Sequence, residues 1–361
     1  MRRAPGIFLL LPGIVLAGLA CGECFAQFLP ITSATSNEER TVAPLIAQAR
    51  ASLQLGDLER ERTILEQVLT LVPTHKQARL ALIEAFMRLE RWNEAENQAR
   101  VLLTQYPADT EPVFLLSMIA MRRGDPEMAK KMANRCLEHG DARPEVYKVL
   151  ALSEYLLQDT SQFEANIRTV LRKNPQDAEA QYFLARYLFE IKRYSESLNL
   201  FQVVVNLQPD HYKAHYYIGL LQVASGEADL ARAEFETSIK IIDTKKIAYA
   251  WPFAELGRAL NDAGETEEAI EWLSRGIRND PACPRNYYEY ARALFQKGAT
   301  SEVKNALLEA VRLDPGYTEA YYLLARYYRK SGESQTATQV LARFRDLKSH
   351  PIPSPYGLPR Q

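Results

Sequence analysis

The chain has 361 residues, with 44 Lys and Arg against 45 Asp and Glu, a formal net charge of −1 and 47% hydrophobic residues. That balance excludes an intrinsically disordered chain, and it excludes nucleic-acid binding through a global basic field, because phosphate neutralisation needs clustered Lys and Arg. No long basic block replaces that field, so no nucleic-acid partner is expected.

In chain order, Met1-Arg2-Arg3 is a short basic region and Ile7 to Ala20 a mostly apolar run. The run is the length of a signal-peptide core and short for a membrane span. Residues 1–26 therefore read as a signal segment. Three fates stay open: cleavage after Ala26, with Cys24 and Ala26 at the small-residue positions; lipidation of Cys21; or an uncleaved membrane anchor. Gly18-Leu19-Ala20-Cys21 resembles a lipoprotein box loosely, since a large aliphatic residue is expected at Gly18. Cys21-Gly22-Glu23-Cys24 has redox-pair spacing but belongs to the signal segment. Cys136 and Cys283, several repeats apart, are not expected to form a disulfide. Residues 27–41 read as a linker.

From there a period governs the chain. Pro73 and Pro107, Pro175 and Pro209, and Pro281 and Pro315 are each thirty-four residues apart, with Asp141 and Asp243 on the same step. Seventeen residues before these positions stand Gly56, Gly124, Gly226, Gly264, Gly298 and Gly332, suited to a left-handed helix end. Small residues recur where paired helices approach: Ala49, Ser117, Ala151, Ala185, Gly219, Gly257, Ala291 and Ala325, then Ala95, Ala129, Ser197, Ala231, Ala269 and Ala337. Apolar positions such as Leu184, Leu188 and Ile191 keep the helical period.

This pattern resembles the tetratricopeptide-repeat family over residues 42–347, whose repeat is a thirty-four-residue helical hairpin. The resemblance implies an all-α, right-handed superhelical solenoid of about nine repeats, starting near Val42, Lys76, Thr110, Pro144, Ala178, Tyr212, Ala250, Pro284 and Thr318. Two departures occur: the third unit lacks its proline, and Glu61 stands where a small alanine is usual, an atypical residue expected at an exposed terminal repeat. The register slips by four residues at KKIAY (245–249), which either lengthens the loop or extends the preceding helix. The slip is expected to divide the array into residues 42–245, six repeats, and 250–347, three repeats, around an insertion at 246–249; a plain surface insertion is the alternative. Residues 348–361 form a proline-rich tail without helical periodicity.

In this family the second, fifth, ninth, twelfth and thirteenth positions of each unit face the concave groove. The fifth reads Phe114, Tyr182, Tyr216, Tyr288 and Tyr322; the ninth Arg50, Arg186, Arg258, Arg292 and Arg326; the twelfth Tyr155, Phe189, Phe295 and Arg329. Tyr182/Arg186, Tyr288/Arg292 and Tyr322/Arg326 lie one helical turn apart. Such a ladder suits an acidic or aromatic-containing extended segment of another protein, since Tyr and Arg dominate binding hot spots. The expected C-terminal centre is Arg258, Arg292 and Arg326 with Tyr288 and Tyr322; the competing expectation pairs these arginines with Glu190, Glu255, Glu289 or Glu319. The carboxylate clamp of chaperone-binding relatives is not matched, because Lys148 has Leu152 at its ninth position.

No phosphate loop, HExxH helix, GxSxG elbow or haem site occurs. His211 and His215 are four apart, but His211 falls in a loop and no ligand set completes them. The expectation is a non-catalytic scaffold without cofactor or metal, exported to a bacterial-type periplasm or envelope, binding a protein or peptide, with membrane attachment through the N-terminus an open alternative. The competing function is an anchored assembly or enzyme-accessory subunit that contacts partners through its convex surface.

Overall fold

The computed structural model describes residues 37–298 and 300–352. The signal segment, Cys21, residues 27–36 and most of the tail lie outside them. The described residues form eighteen α-helices and no strand. They divide into two compact units, 37–180 and 181–352.

The first unit holds α1 (Asn37–Gln54), α2 (Leu58–Leu71), α3 (Lys76–Arg88), α4 (Trp92–Gln105), α5 (Thr110–Arg122), α6 (Pro126–Glu138), α7 (Pro144–Leu156) and α8 (Thr160–Lys173). The boundary falls within α9 (Ala178–Glu190). The second unit continues with α10 (Tyr194–Leu207), α11 (Tyr212–Ser225), α12 (Ala228–Lys245), α13 (Trp251–Asp262), α14 (Thr266–Asn279), α15 (Pro284–Lys297), α16 (Ser301–Leu313), α17 (Thr318–Lys330) and α18 (Ser334–Ser349). Inside each unit the two helices of a hairpin pack on each other, and the second packs on the first helix of the next hairpin. Helix α1 begins inside the segment expected as linker, and α18 extends two residues past Leu347.

Local chemistry sets the helix ends. Asp57 and Asp125 accept from the backbone N–H three residues on, at 3.1 and 2.9 Å. His75 and His211 do the same through Nδ1, each at 3.1 Å, to Ala78 and Ala214. Such caps satisfy N–H groups the first turn leaves unpaired. At the turn inside each hairpin, Gly56, Gly124, Gly226, Gly264 and Gly332 take left-handed backbone as expected. Gly298 does not: its φ of 161° is extended. Glu90, Gln158 and Lys192 stand where the register calls for glycine, and all three adopt the left-handed conformation, φ 56–63°.

Close helix approach explains the small residues. A Cβ on Gly257 would lie 2.3 Å from Leu273 Cγ, and one on Gly219 2.5 Å from the Phe235 ring. Glu61 departs from the expectation of an exposed terminal variant. It is 1% exposed and meets Arg88 at 2.9 Å, so a partner on α3 compensates its charge where other repeats use a methyl group. The four-residue slip is absorbed in α12, which has 18 residues where α4, α10 and α14 have 14. Extending a helix preserves every backbone hydrogen bond, which a longer loop would not.

Candidate functional site

In the second unit, α15, α17 and α18 enclose an open cleft of about 290 Å³. Tyr288 and Arg292 come from α15, Glu319, Tyr322, Leu323 and Arg326 from α17, and Phe344 from α18. Four of the ten residues expected to line a groove thus meet in one place. Tyr322 is 46% exposed and its ring lies 5.3 Å from that of Phe344. Arg326 lies over the Phe295 ring at 5.5 Å, and Lys330 over the same ring at 5.0 Å.

The ninth-position arginines fall into two groups. Arg258 Nε meets Glu255 at 2.9 Å, and Arg292 Nε meets Glu289 at 2.7 Å and, through Nη1, Asp262 at 2.9 Å. Arg285 Nε stands 2.7 Å from Glu255. Glu255 and Glu289 are 4% and 3% exposed. Burial pushes the Glu289 carboxyl up to about 7 against the pull of Arg292 and Arg285. Arg258 and Arg292 therefore sit in an internal charge lattice, the competing expectation. Arg186 belongs with them: it is 8% exposed and meets Glu190 at 3.2 Å. Arg326 and Arg329 are exposed, and among the described residues no carboxylate pairs with either. More than one position differs around Arg326: the sixth, Glu255 and Glu289 in the two preceding repeats, is Leu323, and the thirteenth, where Asp262 serves both Arg258 and Arg292, is Gln296 and then Lys330.

The remaining expected groove residues lie elsewhere. Tyr182, 3% exposed, packs among Phe183, Phe201, His211 and Tyr217, so its apolar neighbours make it core. Phe189, half-buried, packs on Tyr194 and Tyr217. In the first unit, Lys148 is neutralised by Asp177 and Glu179 at 2.7 and 3.1 Å. His211 and His215 are committed to the fold. Nδ1 of His215 lies 2.6 Å from Glu234 and Nε2 3.0 Å from the Pro209 carbonyl. Cys136 and Cys283 are buried free thiols, the former pushed up to about 12 and the latter to about 11, chiefly by burial.

Sequence reasoning missed what covers the fifth-position rings. Arg143 lies over Phe114 at 4.2 Å, His211 packs tilted against Tyr182 at 4.7 Å, Tyr249 meets Tyr216 edge-on at 5.9 Å and Tyr317 packs tilted against Tyr288 at 5.0 Å. In each case a planar side chain, just before the next repeat's first helix or one residue further upstream, covers the ring. The signal was available: these partners follow their rings by twenty-nine residues, or thirty-three across the slip. Phe344 gave no such signal, lying outside the periodic groove positions.

Stacked helical hairpins with these recurrent contacts define a helical-repeat solenoid. Tetratricopeptide-repeat models match residues 46–110, 149–210, 254–302 and 306–339, more than half of the chain, which therefore belongs to the tetratricopeptide-repeat family. No curated protein matches in sequence. Among solved structures, PilF of Pseudomonas aeruginosa is similar at 18% identity and a TM-score of 0.52, over 60% of this chain and 97% of that one. YrrB, described as a tetratricopeptide-repeat protein with an unusual peptide-binding site, aligns at 18% identity and a TM-score of 0.39, over 51% and 92% of the two chains. MamA aligns at 16% and 0.42, over 45% and 96%. The chain is a protein-interaction scaffold, of a fold that is in general non-catalytic. Among the described residues no cluster suited to a metal ion occurs, and no helix is long and apolar enough to cross a membrane.

Proposed function

We propose that the chain captures a segment of a partner protein in the cleft between α15, α17 and α18, and does so as an exported envelope scaffold. The observation carrying the first part is that exposed Tyr322 and Arg326, which no carboxylate among the described residues pairs, line one cleft with the apolar Leu323 and Phe344 side chains. A rigid ring beside a desolvatable guanidinium is the composition of binding hot spots, and stacked hairpins hold both in place before a partner arrives. Arg292 lines the cleft with its guanidinium already paired to Glu289 and Asp262, and Arg258, paired to Glu255, is not among the cleft residues; both act as supports. The export reading rests on Met1-Arg2-Arg3 and the apolar run Ile7 to Ala20, with a protein processed after Ala26 or lipidated at Cys21 as its two products. The test is parallel affinity capture from the native envelope fraction with the wild-type chain and a Tyr322→Ala/Arg326→Ala form. A protein retained by the first and lost from the second is expected; an identical catch removes the cleft as the site. The mass of the N-terminal peptide of the captured chain reports processing, and an intact Met1 in a detergent-free fraction rejects both products.

A further inference from the structure

Each covered fifth-position ring shows what the last repeat lacks. Phe114, Tyr182, Tyr216 and Tyr288 are closed by Arg143, His211, Tyr249 and Tyr317, all supplied by chain leading into the next repeat. Tyr322 belongs to the last described hairpin and has Phe344 to one side; nearly half of its surface is open. Among the described residues no carboxylate pairs with Arg326 as Glu255, Glu289 and Asp262 do with Arg258 and Arg292, because Leu323 replaces the glutamate and Gln296 and Lys330 replace the aspartate. Two omissions therefore adjoin: an uncovered ring and an uncompensated guanidinium, with exposed Arg329 and Lys330 adding positive charge on the same helix end. On the other side of Tyr322 stands Glu319, so a carboxylate is favoured at the Arg326 end of the cleft and opposed at the Glu319 end.

We infer that the cleft takes an extended segment of another protein that carries a planar side chain and, two residues away, a carboxylate: the plane covers Tyr322 and the carboxylate pairs with Arg326. The spacing follows from geometry. Tyr322 and Arg326 are separated by four residues of helix, a rise of about 6 Å. Side chains on one face of an extended segment recur every second residue, about 7 Å. Adjacent residues of such a segment point to opposite faces and cannot serve both groups. Guanidinium and carboxylate form charge-assisted, often bidentate hydrogen bonds, stronger than neutral ones. The inference rests on the proposed capture function and adds the chemistry of what is captured.

The probes are three octapeptides of Gly and Ser whose centres read Tyr-Ser-Glu, Tyr-Ser-Gln and Ala-Ser-Glu, labelled and titrated with the full chain. The expected result is binding of the Tyr-Ser-Glu peptide about five- to tenfold tighter than either of the others, from one charge-assisted contact and one ring contact. That preference for Glu over Gln should vanish in Arg326→Gln, whose site is exposed and whose fold is not at risk. It should also vanish in Leu323→Glu, which supplies the internal partner that Glu255 and Glu289 provide in the neighbouring repeats. Equal binding of the Glu and Gln peptides, a preference that survives Arg326→Gln, or no binding of any peptide overturns the inference. If envelope capture still depends on Tyr322 and Arg326 in that event, the capture function stands and only the assigned chemistry falls; loss of both defeats the capture reading itself.

Discussion

Arg292 Nε lies 2.7 Å from Glu289, a carboxylate 3% exposed, whereas Leu323 occupies the equivalent position beside Arg326. Two arginines with the same repeat address thus do different work. Removing Arg292 leaves a buried carboxylate paired, among the described residues, only with Arg285 at 4.0 Å. Arg292→Ala is therefore expected to cost about 2–3 kcal/mol, just below the usual range of about 3–5 kcal/mol for breaking a buried pair because Glu289 can take up a proton. Arg326→Ala should change stability by less than about 0.5 kcal/mol. Urea midpoints of the two variants check this; equal losses would mean that Arg326 is structural.

Glu90, Gln158 and Lys192 hold left-handed backbone at exposed turns. A side chain there costs about 1–2 kcal/mol, while glycine adds back about 0.5–1 kcal/mol of unfolded-state entropy. Each change to glycine should therefore raise stability by about 0.5–1 kcal/mol. The triple variant read by thermal unfolding should show a higher midpoint, and a lower one would place hidden contacts at these turns.

Gly257 carries no freedom of this kind, because its backbone is helical and the constraint is steric. A methyl group would enter the space of Leu273 at 2.3 Å, so Gly257→Ala should destabilise by about 1–3 kcal/mol through overpacking. Restoring part of that loss by adding Leu273→Ala would confirm the contact as its source; a double variant no better than the single one would locate the damage elsewhere.

In the first unit one arginine serves two buried carboxylates: Arg88 reaches Glu61 at 2.9 Å and Glu84 at 3.2 Å. Burial, only partly offset by Arg88, pushes Glu84 up to about 9. A carboxyl raised in the folded state binds more protons there than in the unfolded chain. Its stabilising proton is present below the ordinary carboxylate range and is lost as pH rises toward about 9. Glu84→Gln keeps the shape without the ionisation, so it should flatten the fall in stability between about pH 6 and about pH 9. An unchanged slope would assign the titration to another group.

The two histidines of α11 and its cap should titrate in opposite directions. Burial holds His211 down to about 4, and its Nδ1 accepts from Ala214, which requires an unprotonated nitrogen. Its contribution to stability is full above the ordinary histidine range and is lost as pH falls toward about 4. Both ring nitrogens of His215 face acceptors, Glu234 and the Pro209 carbonyl, so only the imidazolium satisfies both; against the opposing effect of burial, these hydrogen bonds raise its pKa. Its contribution is full below the ordinary range and is lost as pH rises through the raised value. Histidine ring resonances followed from about pH 4 to about pH 8 should separate the two, and a common midpoint would contradict the assignment.

Repeat architecture was legible because every repeat solves the same problem. Two helices must cross closely, turn on a left-handed residue and stop, so small residues, glycine and proline recur at fixed intervals in Ala185, Gly226 and Pro209. The helix starts at Lys76, Thr110, Pro144, Ala178, Tyr212, Pro284 and Thr318 coincide with that register. Periodicity likewise marked Tyr322 and Arg326 as candidates for the cleft, though it gave the same standing to Tyr182 and Arg186, which are buried.

What the amino-acid order determined by itself, then, is the helical hairpin, its period and its family, since these follow from backbone sterics and apolar spacing within one repeat. Which arginine is free was decided only in three dimensions. Whether a guanidinium is neutralised depends on carboxylates from its own helix and from neighbouring repeats, as Asp262 and Glu289 together show around Arg292. Whether a ring is exposed depends on the side chain that the next repeat lays over it, and beyond Tyr322 the described chain has no such repeat.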